Sequence, residues 1–341
     1  MKIGIIGDAH FRESLAYADY ISDRREGERK QILDFIVESF KDCDSIVFMG
    51  DNFDKPNPPS KVIKAFTEFV ERFNGKQVFI LAGNHEKTPD GRTAVDYLKE
   101  VKNPNWHIIT DNIELFENMA FVPYLYRQEL KVDTHSQGSS WIMEGLEAFP
   151  KNIKFIFVHH AISDSLTVSG QSTNLFNEIV LPRAKLEEMF TRIVGGHIHK
   201  PQLSGKTLVT GSVFSNEAGD VEQFVWTLDT ETSEIGKFQL PIRPIYRLEN
   251  PEVDKLLKLS SSSIVKVILT DPKLPVDKIK EVIKRFDVYL LLEQYPNERK
   301  KLHMDADGAM IEFSVENLLG MYAKSKNIDE AKLLAGWNII K

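Results

Sequence analysis

Short apolar runs followed at once by polar residues recur along the first two hundred positions of the chain. Five of these runs read as buried strands, because each is short and bounded by glycine and polar residues. They are residues 3–6, 46–49, 78–82, 155–158 and 193–194. Ligands of open α/β sheets lie beyond the carboxyl ends of the strands. We therefore expect the residues that follow the runs to meet at one edge of one sheet.

Helical spacing of apolar residues appears between these runs. Such spacing predicts helices at residues 31–40, 61–73, 93–101 and 181–190, and a helix preceded by a loop within residues 128–149. Alternating apolar residues within 106–126 predict antiparallel strands, and further strands are expected at 202–210 and 223–229. Strand–helix alternation followed by strand-rich segments predicts an α/β fold, a two-sheet sandwich flanked by helices, with mixed pairing.

A proline-rich break at residues 241–244 divides the chain. Beyond it, residues 264–270 and 287–293 read as strands and residues 276–286 as a helix, which makes a β-α-β unit. We predict three parts: a catalytic domain at 1–240, a small α/β capping domain at 245–312, and a C-terminal helical segment at 313–341 that docks a partner. Packing of the last helices on the small domain itself is the alternative.

Composition narrows the class of protein. The chain has 341 residues, 42% hydrophobic and 27% charged, with a net charge of −7. These values indicate a folded soluble protein, and they leave room for a local basic groove. The single cysteine, Cys43, excludes an internal disulfide framework and fits a reducing compartment. The N-terminus does not resemble a signal peptide, and no apolar run is long enough to span a membrane, so we expect a cytoplasmic protein.

The polar residues at the five strand ends are of the types that bind divalent metal ions. Imidazole, carboxylate and amide groups without thiolate favour manganese, iron or zinc. Eight candidates are too many for one ion and suit two ions that share a carboxylate, an arrangement that recurs in phosphoryl hydrolysis. The candidates are Asp8, His10, Asp51, Asn84, His159, His160, His197 and His199.

The order of these residues resembles the calcineurin-like metallophosphoesterases. The chain carries D-x-H at residues 8–10, G-D-x-x-D at 50–54, G-N-H-E at 83–86, a strand-borne histidine, and G-H-x-H at 196–199. Within that superfamily the chain is similar to the SbcD-type nucleases of double-strand-break repair, in the form found in T-even phages. The features that carry this resemblance are GDNFD before the Pro58-Pro59-Ser60 turn, the stretch LAGNHE, and a small domain after the core.

The resemblance implies a role for each motif residue. One metal ion would be held by Asp8, His10 and His199, and the other by Asn84, His159 and His197, with Asp51 bridging the two. His85 would contact the scissile phosphate as the catalytic residue. Asp54 stands where archaeal and eukaryotic relatives have a second catalytic histidine, and we expect it to orient a ligand or His85. His160 remains an alternative to His159, since a shift by one residue reverses the side-chain direction.

The resemblance also implies a substrate and partners. Such nucleases cleave DNA with two divalent ions, commonly manganese, as 3′-to-5′ double-strand exonucleases and single-strand endonucleases. They act as homodimers with an SMC-like coiled-coil ATPase. We place the dimer contact on the helices at 61–73 and 93–101. Two other functions stay open: a phosphoesterase for cyclic nucleotides or phosphoproteins, and a DNA-end-binding scaffold with a vestigial metal site. A metal-stabilised structural domain is disfavoured, because structural sites are closed and usually hold one ion.

Overall fold

A computed structural model describes residues 1–294. Its core consists of two six-stranded sheets packed face to face. The strands of the first sheet are β1 (Lys2–Ile6), β2 (Ser45–Phe48), β3 (Gln77–Leu81), β4 (Trp106–Ile109), β13 (Phe224–Asp229) and β14 (Ile235–Gln239). Those of the second are β5 (Glu114–Phe116), β6 (Met119–Val122), β7 (Phe155–Val158), β10 (Arg192–Gly195), β11 (Gln202–Ser204) and β12 (Thr207–Val209). The strands of the first sheet lie in the order β14-β13-β1-β2-β3-β4, and those of the second in the order β11-β12-β10-β7-β6-β5. A separate pair is formed by β8 (Ala161–Ile162) and β9 (Val180–Leu181).

Helices cover the outer face of each sheet. The first sheet carries α1 (Glu26–Ser39), α2 (Ser60–Glu71) and a 3-10 helix (Ala94–Val101), and the second carries α3 (His135–Glu147) and α4 (Arg183–Met189). Between the sheets lies an apolar layer that includes Ile5, Phe79, Phe121 and Phe157. The α/β sandwich predicted from the sequence is therefore present.

Two expectations about strand pairing are wrong. The five strands that precede the polar residues do not share one sheet: β1, β2 and β3 lie in the first, and β7 and β10 in the second. In addition, β4 pairs in parallel with β3, although residues 106–126 were expected to form antiparallel strands. Among the strands of that segment, only β5 and β6 pair with each other in antiparallel fashion. The candidate residues consequently meet at the edge that the two sheets share.

A third, all-parallel sheet follows the proline-rich break. It contains β15 (Ile245–Glu249), β16 (Ile264–Leu269) and β17 (Val288–Glu293), with α5 (Val253–Leu257) and α6 (Val276–Ile283) packed on it. We call it the C-terminal sheet. The other face of its strands packs against Tyr17, Ile21 and Ala218 of the core. The predicted helical segment at 313–341 lies outside the described residues, as does the end of the predicted capping domain, so the predicted domain boundaries stay predictions.

Two further sequence inferences concern single features. Cys43 is buried, and burial raises the pKa of its thiol, as expected of a core cysteine. Among residues 1–294 there is no helix with both the length and the apolar character needed to cross a bilayer.

Candidate metal centre

The loops after the strands are held together by their backbones. The amide of His10 donates to the carbonyl oxygen of Asp51 at 2.8 Å, and that of Phe11 to Asn52 at 2.7 Å. His10, Asp51 and His197 all have positive φ angles, of 44°, 47° and 72°. Residues other than glycine seldom adopt this conformation, and it costs on the order of 1–3 kcal/mol per residue. The fold thus bends three strand ends sharply, and the side chains of these residues converge.

The first cluster consists of Asp8, His10 and His199. Nε2 of His10 lies 2.9 Å from Nε2 of His199, and the latter lies 4.0 Å from Oδ2 of Asp8. Asp8 is completely buried, and its Oδ2 accepts no hydrogen bond from any residue within 1–294. A buried carboxylate oxygen beside two imidazole nitrogens is a suitable place for a cation.

The second cluster consists of Asp51, His159 and His197, with Asn84 between the two histidines. Oδ1 of Asn84 lies 2.8 Å from Nδ1 of His197 and 3.4 Å from Nε2 of His159. The other nitrogen of each histidine faces an acceptor: Nδ1 of His159 the carbonyl of Met49 at 2.6 Å, and Nε2 of His197 a carboxylate oxygen of Glu178 at 2.8 Å. In the neutral rings, those nitrogens carry the protons, so lone pairs face the oxygen of Asn84.

Asp51 lies between the two clusters. Its Oδ2 is 3.4 Å from Nε2 of His159 and 3.8 Å from Nε2 of His10. Its Oδ1 accepts the backbone amide of His85 at 2.8 Å. One carboxylate therefore faces a histidine of each cluster, as a ligand shared by two ions would.

The donor set fits two divalent ions. Lone pairs of nitrogen and oxygen converge in both clusters, and no proton can satisfy all of them at once. Oxygen and imidazole ligands without thiolate suit manganese, iron or zinc. The residues that would hold the ions are Asp8, His10, Asp51, Asn84, His159, His197 and His199.

Electrostatics in the clusters follow from burial and proximity. Burial raises the pKa of Asp8 and lowers that of His10 to about 3. Burial also disfavours a charged His159, but the carboxylates of Asp51, Asp8 and Glu86 together outweigh this effect and raise the pKa of His159 to about 10. Burial alone would raise the pKa of Asp51, but His159 and His10 hold it well below its usual range. For His199, Glu217 together with Asp8 and Asp51 outweighs burial and raises the pKa to about 9. Protons on histidines thus offset part of the negative charge.

His85 lies beside the clusters and is exposed. Its ring meets that of His10 edge-on, with centroids 4.6 Å apart. Nδ1 donates to the backbone carbonyl of Asp54 at 3.3 Å, which leaves Nε2 available to a substrate. His85 also forms a possible ligand group with His10 and Asp51. Its exposed position agrees with the predicted catalytic role, which stays a prediction.

Asp54 contacts His85, His10 and Arg12 in a way the sequence did not specify. The contact with His85 is through its backbone carbonyl, whereas its carboxylate lies 3.9 Å from Nδ1 of His10 and 3.6 Å from Nη1 of Arg12. The predicted orienting role therefore concerns His10 through the carboxylate and His85 through the backbone. Arg12 also donates to Oδ1 of Asn216.

His159 and His160 are placed on opposite sides. His159 faces Asn84 and Asp51. His160 is fully buried away from them, where its Nε2 accepts the backbone amide of Leu125 at 3.1 Å and its ring stacks on Tyr124 at 4.7 Å. Of the two alternatives, the fold brings His159 into the cluster.

Glu86 belongs to the site, although the sequence assigned it no role of its own. Glu86 is buried and accepts the amide of Phe53, the amide of Gly83 and the side chain of Asn52, each at 2.9 Å. Burial and Asp51 raise its pKa to about 8, and the donors favour the charged form. This carboxylate joins the loop after β2 to the loop after β3. Its position in the G-N-H-E motif was the available signal.

Residues outside the motifs have structural roles of their own. Arg25, in the polar segment after the first strand, is completely buried and binds both oxygens of Glu28 and the carbonyls of Ala16 and Ser215. His107 stacks on Phe79 at 4.6 Å, and His135 begins α3. Ile63 and Ala65 are partly buried against the core. His303 lies outside the described residues.

A comparison with models of protein families assigns the chain to one family. A model described as calcineurin-like phosphoesterase matches residues 1–201. The chain belongs to the calcineurin-like phosphoesterase family. The family comprises metal-dependent hydrolases that use divalent ions, and the His/Asp clusters of this member could hold such ions.

Solved structures provide a second comparison. An archaeal phosphodiesterase is 14% identical, with 70% of this chain and 100% of that chain covered and a TM-score of 0.35. The protein TT1561 of Thermus thermophilus is 12% identical, with 70% and 97% covered and a TM-score of 0.38. The purple acid phosphatase PPD1 of yellow lupin is 11% identical, with 72% and 54% covered and a TM-score of 0.40. A search of curated protein sequences finds no match.

Proposed function

We propose that this phosphoesterase is a metal-dependent DNA nuclease of the SbcD type. It would cleave duplex ends from 3′ to 5′ and single strands internally, in a recombination or repair complex. The observation that carries the proposal is the pair of His/Asp clusters with Asp51 between them, beside a C-terminal sheet that packs on loops next to the site. The clusters support phosphodiester hydrolysis, and the added sheet supports a substrate larger than a small ester.

Different residues of the chain have different roles in the proposed reaction. Bound divalent ions, manganese in this proposal, would acidify a water molecule and offset charge on the phosphate. Asp8 is fixed for this purpose by the backbone amide of His197, which donates to its Oδ1 at 3.1 Å. Asp51 is fixed in the same way by the amide of His85. Both carboxylates are buried, so each enters the reaction with its orientation already set.

His85 is the proposed acid and charge stabiliser. The carbonyl of Asp54 accepts the Nδ1 proton, so the imidazolium form of His85 would donate its second proton, on Nε2, to the leaving sugar oxygen and become the neutral ring. Arg12 lies next to Asp54 and carries a guanidinium that is partly exposed. A guanidinium can bind phosphate oxygens with two parallel donors. We assign Arg12 to the backbone phosphate beside the one that is cleaved.

We favour DNA over cyclic nucleotides and phosphoproteins as the substrate because of the elements that surround the site. Tyr17 and Ile21, in the loop that follows the first motif, pack on Ile245, Ile264 and Val288 of the C-terminal sheet. The Pro58-Pro59-Ser60 turn then starts α2 soon after the GDNFD motif. These elements match the features on which the SbcD resemblance rests.

The proposed partners are a second copy of the chain and an SMC-like coiled-coil ATPase. The dimer would form on α2 and the neighbouring 3-10 helix (Ala94–Val101), and the ATPase would bind the segment at 313–341. Deletion of residues 315–341 should abolish ATPase binding and spare cleavage of short DNA. An intact complex after this deletion would contradict the assignment.

The experiment that tests the function compares two substrates. End-labelled duplex DNA and bis-p-nitrophenyl phosphate are each incubated with the protein and manganese. We expect both to be cleaved, the duplex from its 3′ ends. Cleavage of the small ester but not of DNA, even with the ATPase added, would favour a phosphoesterase for cyclic nucleotides or phosphoproteins. Binding of DNA ends without cleavage of either substrate would favour a DNA-end-binding scaffold with a vestigial metal site.

A further inference from the structure

In each histidine of the G-H-x-H motif, one ring nitrogen contacts the carboxylate of a glutamate that lies outside the sequence motifs. Nε2 of His197 lies 2.8 Å from Oε1 of Glu178, and Nδ1 of His199 lies 3.2 Å from Oε1 of Glu217. The opposite nitrogens face the two clusters: Nδ1 of His197 faces Asn84, and Nε2 of His199 faces His10. The arrangement thus occurs twice, once in each cluster.

Glu178 is held by the core of the second sheet. It lies just before β9, and its Oε2 accepts the hydroxyl of Tyr124 at 3.3 Å. Tyr124 in turn stacks on the buried ring of His160. Burial and Glu178 raise the pKa of Tyr124, so its hydroxyl stays protonated and donates to the carboxylate. One oxygen of Glu178 is therefore fixed, and the other is directed at His197.

Glu217 is held from a different direction. Its turn is closed by Asp220, whose Oδ2 accepts the amides of Asn216 and Glu217 at 2.9 and 2.8 Å. The same turn pairs with the first strand of the C-terminal sheet: Gly219 donates to the carbonyl of Ile245 at 2.7 Å, and Ile245 donates to that of Asp220 at 2.8 Å. The carboxylate at His199 consequently depends on a turn that the C-terminal sheet supports.

We propose that Glu178 and Glu217 are positioning residues, one for each metal ion, and this proposal rests on the metal centre of the proposed function. A carboxylate on one nitrogen of a histidine fixes the ring orientation and places the proton there, so the other nitrogen presents its lone pair to the ion. Glu178 does this for His197 in the second cluster, and Glu217 for His199 in the first. Through Glu217, the C-terminal sheet supports the Asp8–His10–His199 cluster.

Manganese titration of the full-length protein tests the proposal. Glu178→Ala and Glu217→Ala should each weaken the binding of one of two manganese ions by about 10–100-fold, the usual effect of removing such a partner. Glu222→Ala is the matched control for Glu217→Ala. Glu222 is an exposed acid close in sequence to Glu217, and its replacement by alanine removes the same charge. Its manganese affinities should stay within about 3-fold of wild type. Equal losses in all three variants would overturn the proposal.

Double variants separate positioning from a general loss of structure. In a His197→Ala background, Glu178→Ala should have no further effect on manganese affinity, whereas in a His199→Ala background it should keep its full effect. Glu217→Ala should show the reverse pattern. Effects that are equal in both backgrounds would contradict a role through one histidine. Glu178→Gln should restore part of the loss, since an amide oxygen still accepts from Nε2.

The metal-free protein gives a readout that does not depend on the proposed function. With 15N-labelled histidine, the Nε2 proton of His197 should be hydrogen-bonded and slow to exchange with water in the wild type, and it should exchange faster in Glu178→Ala but not in Glu217→Ala. An unchanged His197 spectrum in Glu178→Ala would overturn the positioning role. If the wild type bound no manganese, the metal centre would be refuted, and the histidine spectra would still decide the orienting contacts.

Discussion

Oδ2 of Asp51 lies 3.4 Å from Nε2 of His159. The same oxygen is 3.8 Å from His10, so one carboxylate serves both clusters. Asp51→Asn should therefore reduce the manganese content from two ions to at most one and lower turnover by at least about 100-fold. Metal analysis after gel filtration measures this. Asp90→Asn, at an exposed aspartate outside both clusters, should keep both ions. A fully metallated, active Asp51→Asn protein would refute the two-metal interpretation.

His85→Ala should separate catalysis from metal binding. The ring contributes an exposed Nε2 and its loss should lower kcat by about 10²–10⁴-fold, the usual range for a general acid. The manganese content should remain near that of the wild type, because Asp51 keeps its other contacts. Cleavage of end-labelled DNA, whose sugar oxygen needs a proton to leave, and metal analysis on the same preparation give both quantities. Loss of an ion in this variant would instead make His85 a ligand, as its grouping with His10 and Asp51 allows.

The adjacent histidines form a matched pair for mutation. His159→Ala should lose an ion, because its Nε2 faces Asn84 and Asp51. His160→Ala should keep both ions but lower the free energy of unfolding by about 1–3 kcal/mol, because it leaves the buried amide of Leu125 without its acceptor. Metal analysis and urea unfolding distinguish the two outcomes. The opposite result would exchange the roles of the two residues.

Metal binding should release protons. The pKa of His159 is about 10 and that of His199 about 9 in the metal-free protein, so both rings are charged at neutral pH. A metal ion needs the neutral ring, so we expect about two protons to be released and manganese affinity to rise with pH until both pKa values are passed. Calorimetry in buffers of different ionisation enthalpy counts the protons. Affinity that is constant between about pH 6 and pH 8 would contradict this.

Gly50→Ala should disturb the site through steric contact. A Cβ at this position would lie 2.3 Å from Nδ1 of His159, and Gly50 has a φ of 107°. We expect loss of an ion together with reduced stability. Gly75→Ala is the control: it also has a positive φ, of 87°, but a Cβ there meets nothing within 4 Å. It should cost only about 1 kcal/mol and keep both ions. Equal metal content in the two variants would show that His159 tolerates the displacement.

Local sequence determined much of this site. Each polar residue follows an apolar run, so a strand and the loop after it could be predicted together. Helical spacing likewise predicted α2, because its buried residues Val62, Phe66 and Phe69 recur on one face. The positions of these elements in the chain follow from the period of the apolar residues, which is a local property.

The pairing of the strands was decided by the tertiary structure. The runs before His159 and His197 are as apolar as those before His10 and Asp51, yet they enter a different sheet. The composition of a buried strand does not predict which strands it pairs with, because a strand is apolar on both faces whichever of the two sheets it joins. For the same reason, the sequence did not predict that β4 pairs in parallel with β3.

The sequence by itself determined which residues stand at the strand ends, from Asp8 and His10 to His197 and His199. Only the tertiary structure decided that His159 rather than His160 faces the cluster, since neighbouring side chains point in opposite directions and the end of the strand fixes which one turns inward. It also decided that Glu178 and Glu217 reach the two histidines. Both come from irregular segments, where no period marks a residue, and their contacts exist only once the two sheets and the C-terminal sheet have packed.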